Sequence, residues 1–556
     1  MKKIYLLSAV LATLTLQAQT ESWEGVPVLP NFYANKMSLD GNQIVGFPEE
    51  DATVYYNIAK DQFYYYPNCT YGRGYVVADN GWVVGLELLD SETKTNTGVV
   101  MTEGKIIQPD VFDPYVTSNI HSITPDGSRV CGVVGNPGHG ASNLPYYCDI
   151  DANGNFGELQ FLPTPEKDFF GNRPQYCSAT WISADGKTIA GQVVEARGFF
   201  IYPIIYHQNE DGVWNYSCPS QKLFNQDNLP LPEPLDDFDV EYPDLEYPEP
   251  TNFMAENMIP VWEAAIYKWE TNNFAEELDP NSHLEDYMTA QEIADYLAAV
   301  DTYNKAVEEY NIKNEQYWEG VFKIVDSSVF FVQNNMALSP NGKWLASAAE
   351  WEDLSQDLFD VPQLYYVPYL FNLETGEVKQ IADNKDNLGV NQVLSNGDVL
   401  TVTPASSALP PRSWLYKNDQ KELVSIYDYM KGLNPSYGEW YDNELSGDIP
   451  VAEDDKGGLI YEYATVTGLV AGSDDLSTLC GGVLGYAIDY DMYLTYIFIG
   501  LPPVAGVESL KADPSFNGVY NVYNLQGVKV ISTKDESEIN SLPRGLYIIN
   551  GKKILK

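Results

Sequence analysis

The chain of 556 residues is 44% hydrophobic and 13% aromatic, material for a large core, which argues against a globally disordered protein. It carries 32 basic against 79 acidic side chains, a net charge of −47. Such a field repels phosphate backbones and anionic lipid surfaces, so no nucleic acid partner is expected and neutral or cationic partners such as glycans and peptides stay open.

At the N-terminus, Lys2 and Lys3 precede a mostly apolar stretch from Ile4 to Leu16, too short to cross a bilayer, and Ala18 stands at the expected cut. Residues 1–18 therefore read as a secretory signal peptide, and the mature chain is expected outside the cytoplasm. No later run of about 18 apolar residues occurs, so no membrane insertion is expected. Six cysteines follow, Cys69, Cys131, Cys148, Cys177, Cys218 and Cys480. None forms a CxxC pair or stands beside a histidine cluster, so neither a metal site nor a cofactor is expected.

One short phrase organises the body. It reads SLDGNQIVG from Ser38 to Gly46, ADNGWVVG from Ala78 to Gly85, TPDGSRVCG from Thr124 to Gly132 and SADGKTIAG from Ser183 to Gly191. It returns as SPNGKWLAS from Ser339 to Ser347, SNGDVL from Ser395 to Leu400 and SDDLSTLCG from Ser473 to Gly481. Asp-Gly or Asn-Gly supplies the positive φ of a tight turn, the apolar residues after it make a short buried strand, and the closing glycine admits close backbone approach. Tyrosine-rich hairpins follow several copies, turning at Thr375-Gly376 and at Asp211-Gly212. One turn-plus-strand followed by one hairpin builds a small antiparallel sheet, the unit of a β-propeller blade. The expectation is an all-β chain: a propeller of about seven blades at 19–232 and 321–503, a helical insertion at 233–320, and a small C-terminal β-sandwich-like module at 504–556. A β-sandwich with coincidental turns is the competing architecture.

The phrase resembles the unit of bacterial HAF-type extracellular repeats, and Ser339 to Ser347 resembles the WD-like repeat of Tol-type periplasmic propellers. Both resemblances imply a propeller and neither implies an activity. Cys131 and Cys480 share the repeat slot of Ala190, Val45 and Ala346, so they are expected as buried thiols.

Between Glu233 and Glu249 eight acids alternate with prolines and aromatics, which reads as an extended linker. A helix is then expected from Val261 to Glu276. A capping box at Thr289 and Glu292 opens a second helix, with an apolar stripe through Ile293, Tyr296, Leu297, Val300, Tyr303, Val307 and Tyr310. That stripe is expected to be largely buried. From Ala505 to Lys556 the chain turns basic, with seven bases against five acids. The strand-like runs Val519–Val530 and Leu542–Lys556, with Gly527, Gly545, Tyr547 and the terminal lysines, resemble the C-terminal sorting domain of type IX secretion. That resemblance implies contact with the type IX secretion machinery and display at the cell surface or release as a secreted protein, with the periplasm as the place of work if the module is inactive. The Pro-Asn-Pro phrase of that family is absent.

Catalytic signatures are missing. There is no G-x-S-x-G, no H-E-x-x-H and no phosphate-cradling loop. The arginines that a sialidase-like site would need are few: Arg73, Arg129, Arg173, Arg197 and Arg412. The reading is a non-catalytic module binding an extracellular glycan or peptide, with a carbohydrate-active hydrolase or lyase and a structural envelope protein as alternatives. Trp82, Trp181 and Trp344, in or beside the repeat turns, are the candidate ligand-stacking aromatics, and His139 in its glycine-rich loop is a fourth candidate. Core packing is an equal reading for each tryptophan, and a surface turn for His139.

Overall fold

The computed structural model describes residues 22–23, 26–30, 33–47, 52–90, 95–135, 143–233, 247–276, 279–353, 363–403, 413–433, 448–453, 459–487, 490–499, 520–523, 529–534, 538, 546–549 and 552–555. The signal-like segment, His139, Arg412, the linker at 234–246 and the region around Gly506 lie outside them. Two compact units emerge, one of residues 1–166, 174–221 and 329–556, the other of 167–173 and 222–328.

The first unit is built from small antiparallel sheets. Strands Tyr33–Met37, Gln43–Phe47, Ala52–Asn57 and Gln62–Pro67 form one sheet in chain order. The next sheet is two such groups, 69–107 and 117–161, joined by a single parallel pairing of Thr117 with Asn96. Groups at 176–217, 331–380 and 389–425 repeat the pattern. The last group, Leu459–Gly472, Thr478–Ala487 and Tyr490–Ile499, takes its outer strand from the other end of the chain. There Val26–Pro30 pairs antiparallel with Tyr490–Ile499, Val28 opposite Tyr496 and Pro30 opposite Leu494.

Each group folds this way because of its turn. The hydroxyls of Ser38, Thr124, Ser183, Ser339 and Ser473 each donate to the carboxylate or amide oxygen two residues on, at 2.5, 2.7, 2.6, 2.8 and 2.8 Å. Each hydroxyl also accepts the backbone N–H five residues on, at 2.9 to 3.0 Å. These hydroxyl-bearing residues are buried, so the bonds are made out of water. Where the slot lacks a hydroxyl the turn is one residue tighter: Ala78 N–H reaches Trp82 O, and Leu394 N–H reaches Asp398 O, both at 2.9 Å. Leu394 thus holds the slot that the sequence pattern assigned to Ser395. The closing glycines allow neighbouring strands to touch; a Cβ on Gly191 would stand 1.8 Å from the Ser178 carbonyl.

Successive turns bond to one another until the circuit closes. Asp40 N–H reaches Asp79 Oδ1 at 3.4 Å and Asp79 N–H reaches Pro125 O at 2.8 Å. Arg129 Nη1 donates to Gly186 O at 3.0 Å, and Ala184 N–H to Pro340 O at 2.6 Å. Asn341 Nδ2 donates to Ser395 O at 2.7 Å, Ser395 N–H to Asp474 Oδ1 at 2.8 Å, and Asp474 N–H returns to Leu39 O at 3.1 Å. Small antiparallel sheets whose equivalent turns make a closed ring define a β-propeller, not two face-packed layers. The apolar pair after each turn, such as Ile44-Val45 and Ile189-Ala190, is fully buried between sheets. Cys131 and Cys480 occupy that slot as expected, buried and unbridged, with burial raising both thiols far above their ordinary range.

In the second unit, helix α1 spans Ile259–Thr271 and helix α2 spans Ala290–Asp326. The capping box forms, Glu292 N–H donating to Thr289 Oγ1 at 3.3 Å and Thr289 N–H to Glu292 Oε2 at 2.6 Å. α2 runs past the expected boundary because the apolar pattern continues through Val321 and Ile324, both buried. Burial of the stripe is narrower than expected. Tyr296 is buried in a small core with Met254, Trp262 and Met288, whereas Leu297 is 53% exposed. At the C-terminal end the described strands, Tyr520–Tyr523, Lys529–Thr533, Leu546–Ile549 and Lys552–Leu555, form one antiparallel sheet.

Candidate axial binding site

The innermost strand of each sheet should be the plainest, yet several carry an irregularity a few residues ahead of the turn. Register shifts fall between Ala34 and Lys36, Ile120 and Ser122, Phe331 and Met336, Val390 and Gln392, and Leu469 and Ala471. A β-bulge puts an extra residue out of the ladder and re-aims its side chain. The residues so released include Asn35, Asn334, Asn335, Asn391 and Val470, and all of these line one cavity of about 210 Å³ on the propeller axis. Lys36, Arg73, Trp181, Met336 and Val390 complete the lining.

Arg73 reaches the axis by another device. It sits between Gly72 and Gly74, where a Cβ would stand 2.4 Å from His121 O and 2.3 Å from Thr180 O respectively. Only glycines let this segment lie so close to the neighbouring inner strands, and Gly74 N–H donates to His121 O at 2.9 Å. Lys36 and Trp181 occupy the same repeat position, two residues ahead of Ser38 and Ser183. Lys36 Nζ donates to Arg73 O at 3.0 Å and stands 5.0 Å from the centroid of the Trp181 ring. Trp181 is buried and meets Tyr75 edge-on at 4.9 Å.

Tyr75 closes the cavity below. Its hydroxyl donates to Leu338 O at 2.7 Å, joining inner strands 263 residues apart in the chain. Glutamines tie the same level together: Gln192 Nε2 donates to Val332 O at 2.9 Å, and Gln392 Nε2 to Gly472 O at 2.7 Å.

The electrostatics of this cavity reverse those of the whole chain. Two cations and four asparagines line it, and no carboxylate does among the described residues. Neither Lys36 nor Arg73 forms an ion pair among them. Burial lowers the Lys36 ammonium to about 8. It also pulls the Arg73 guanidinium down, opposed by the nearby Tyr176. His121, behind the lining, is held neutral to about 4 by burial first and then by the charge of Arg73, although its Nδ1 bonds Ala179 O at 2.9 Å.

Of the aromatics singled out in the sequence, only Trp181 reaches the cavity. Trp82 and Trp344 follow their turns and cover the glycine of the next one, Trp82 lying 3.4 Å from a Cβ on Gly127 and Trp344 2.8 Å from one on Gly397. These two serve the seams between sheets. Lys36 and the asparagines were not marked by sequence reasoning as ligand contacts, and Arg73 was named there only among the arginines a sialidase-like site would need. A signal existed in the paired polar residues Asn35-Lys36 and Asn391-Gln392, each asparagine three positions before its turn slot. Arg129 is spent between turns, on Asp149 and Gly186, and among the described residues Arg73 is the one arginine in the lining. No group of three potential metal ligands assembles among the described residues, and no helix there is long and apolar enough to cross a membrane.

No family model matches the chain, and no curated protein does. Solved structures similar to it include the β-propeller domain of the Trilobed protease from Pyrococcus furiosus, 10% identical over 84% of this chain and 95% of that one, with a TM-score of 0.37. An oligogalacturonate lyase in complex with manganese is 10% identical over 86% and 91%, with a TM-score of 0.37. The putative TolB from Agrobacterium tumefaciens is 10% identical over 71% and 80%, with a TM-score of 0.29. Likeness at this level transfers no activity.

Proposed function

We propose that this is an exported binding protein whose seven-bladed propeller holds a small anionic ligand in its axial cavity. The observation that carries the reading is a lining that, among the described residues, holds two cations without an ion pair and no carboxylate, in a chain of net charge −47. The half-buried Lys36 and the exposed Arg73 meet in one lining with no counter-charge among the described residues, and an anion between them gains charge-assisted hydrogen bonds from both. Seven blades are supported by the circuit of seven turns, and export by the charged and apolar pattern of residues 1–18. The C-terminal sheet serves sorting by the type IX machinery, on the resemblance of residues 519–556. Binding is favoured over glycoside hydrolysis because that chemistry needs two carboxylates flanking the bond, and among the described residues none lines the cavity.

Lys36 favours a second reading, a lyase. With its ammonium lowered to about 8, the neutral amine can take the proton α to a carboxylate held by Arg73. The released electron pair forms a carbon–carbon double bond and expels the β-oxygen, which is protonated by water.

Titration calorimetry on the mature protein with acetate, phosphate and glucuronate tests the main reading. At least one anion should bind, and the double variant Lys36→Met, Arg73→Gln should lose it. Binding unchanged in that variant overturns the reading, and so does a wild-type protein that binds none. Appearance of an unsaturated product on incubation with an acidic oligosaccharide would move the assignment to the lyase.

A further inference from the structure

We infer that the axial ligand is a sugar acid, a carboxylate carried on a ring of hydroxyls, taken as a single residue. The inference rests on the anion-binding reading and deepens it through the hydrogen-bonding inventory of the lining. Lys36 and Arg73 are donors only, matched by a carboxylate. The asparagines are different, since each amide brings an acceptor oxygen as well as donors.

Several of those atoms already have work. Asn335 Oδ1 accepts Val390 N–H at 2.7 Å, Asn391 Nδ2 donates to Val470 O at 3.3 Å, and Asn35 bonds the Tyr71 hydroxyl. What remains is a mixed set. Asn391 keeps its acceptor oxygen, and Asn335 keeps its amide donors. Acetate brings acceptors only, so it would satisfy the cations and set its lone pairs against the amide oxygens, and hydrogen phosphate adds at most two O–H donors for them. A neutral sugar would satisfy the amides and leave two cations uncompensated. A ring bearing both hydroxyls and a carboxylate answers every group.

Size narrows the choice to one ring. The cavity of about 210 Å³ lies below the about 300 Å³ from which pockets for drug-sized ligands begin. A space of that size holds about one ring, so a free monomer or a terminal residue is the form that fits.

The test is a titration series on the wild-type protein: glucuronate and galacturonate, the neutral hexoses glucose and galactose, acetate and phosphate, and a short oligogalacturonate. The uronates should bind at least about tenfold more tightly than acetate, phosphate or the neutral hexoses. Asn391→Leu should weaken uronate binding while leaving acetate binding in place, and the wild-type series decides the matter if that variant does not fold. Comparable affinity for acetate or phosphate overturns the sugar acid and leaves the anion site standing. Comparable affinity for the neutral hexoses, or no binding at all, overturns both. Binding of free uronate assigns a monomer as the ligand; binding of the oligomer alone assigns the end of an acidic glycan, and either supports the sugar acid.

Discussion

The hydroxyl of Tyr75 and the backbone oxygen of Leu338 meet at 2.7 Å across the axis of the propeller, a bond between the early and late halves of the ring. Tyr75→Phe keeps the ring packing and deletes this bridge together with the longer contact of the same hydroxyl to Val393 O at 3.3 Å. The buried carbonyl is then left with one partner fewer, at a cost of about 1–2 kcal/mol. Urea denaturation should show that loss as a lower midpoint with an unchanged slope. A midpoint equal to the wild type would mean the bridge adds nothing.

Ligand affinity should depend on pH through Lys36. Its ammonium titrates at about 8, so the cavity carries two charges below that pH and one above it. Tyr71 and Tyr176 stand nearby, both raised above the ordinary tyrosine range by burial, and Arg73 stays charged. Uronate affinity should therefore be flat below about pH 7 and fall above about pH 8, approaching tenfold per unit. Lys36→Arg should flatten the profile, and a wild-type profile level through about pH 10 would refute the role of Lys36.

His121 makes a stability prediction of known sign. Its folded value, about 4, lies below the ordinary 6.5, so the unfolded chain binds the proton more tightly between those values. Stability from this group is complete above about pH 6.5 and is lost as pH falls toward about 4, amounting to about 3 kcal/mol. Asp79 acts oppositely. Burial, then the charge of Asp40, raises its carboxyl to about 6, so it favours the folded state as pH falls. The difference in unfolding free energy between wild type and His121→Gln across this window isolates the histidine. Parallel curves would contradict the assignment.

The turn hydroxyls are expected to matter individually. Ser183→Ala removes the acceptor of Thr188 N–H and the donor to Asp185 in a buried turn, which should cost about 1–3 kcal/mol. Ser395→Ala is the control. Its neighbour Leu394 holds the equivalent slot, so this change should stay within about 0.5 kcal/mol. Equal effects from the two would undo the distinction between long and short turns.

The ring was legible in the sequence because most of its turns carry the same chemistry: a hydroxyl, an acceptor two residues on and a glycine at positive φ, with Ala78 and Leu394 lacking the hydroxyl and Leu476 standing for the glycine. The capping box at Thr289 was legible for the same reason, being local. The site was not. Lys36 and Trp181 stand 145 positions apart in the sequence and meet only because the ring closes. Trp181 precedes its turn and faces the axis, whereas Trp82 and Trp344 follow theirs and face a seam. Proximity to a turn says nothing of which side a ring lies on until strand order is known. The bulges at Asn35 and Asn391 were hidden for a similar reason, since an extra residue is visible only against a paired partner.

The strand Val26–Pro30, lying against Tyr490–Ile499, makes the order of synthesis matter. The first segment of the body to be made is among the last to find its partner. A nascent chain therefore holds a strand with no mate and a circle with a gap, whatever the state of the sheets already formed. Such unpaired edges are where misassembly begins. A protein built this way gains from its two chain ends meeting promptly once synthesis is complete. Its vulnerable interval is the time between the emergence of residue 26 and that of residue 499.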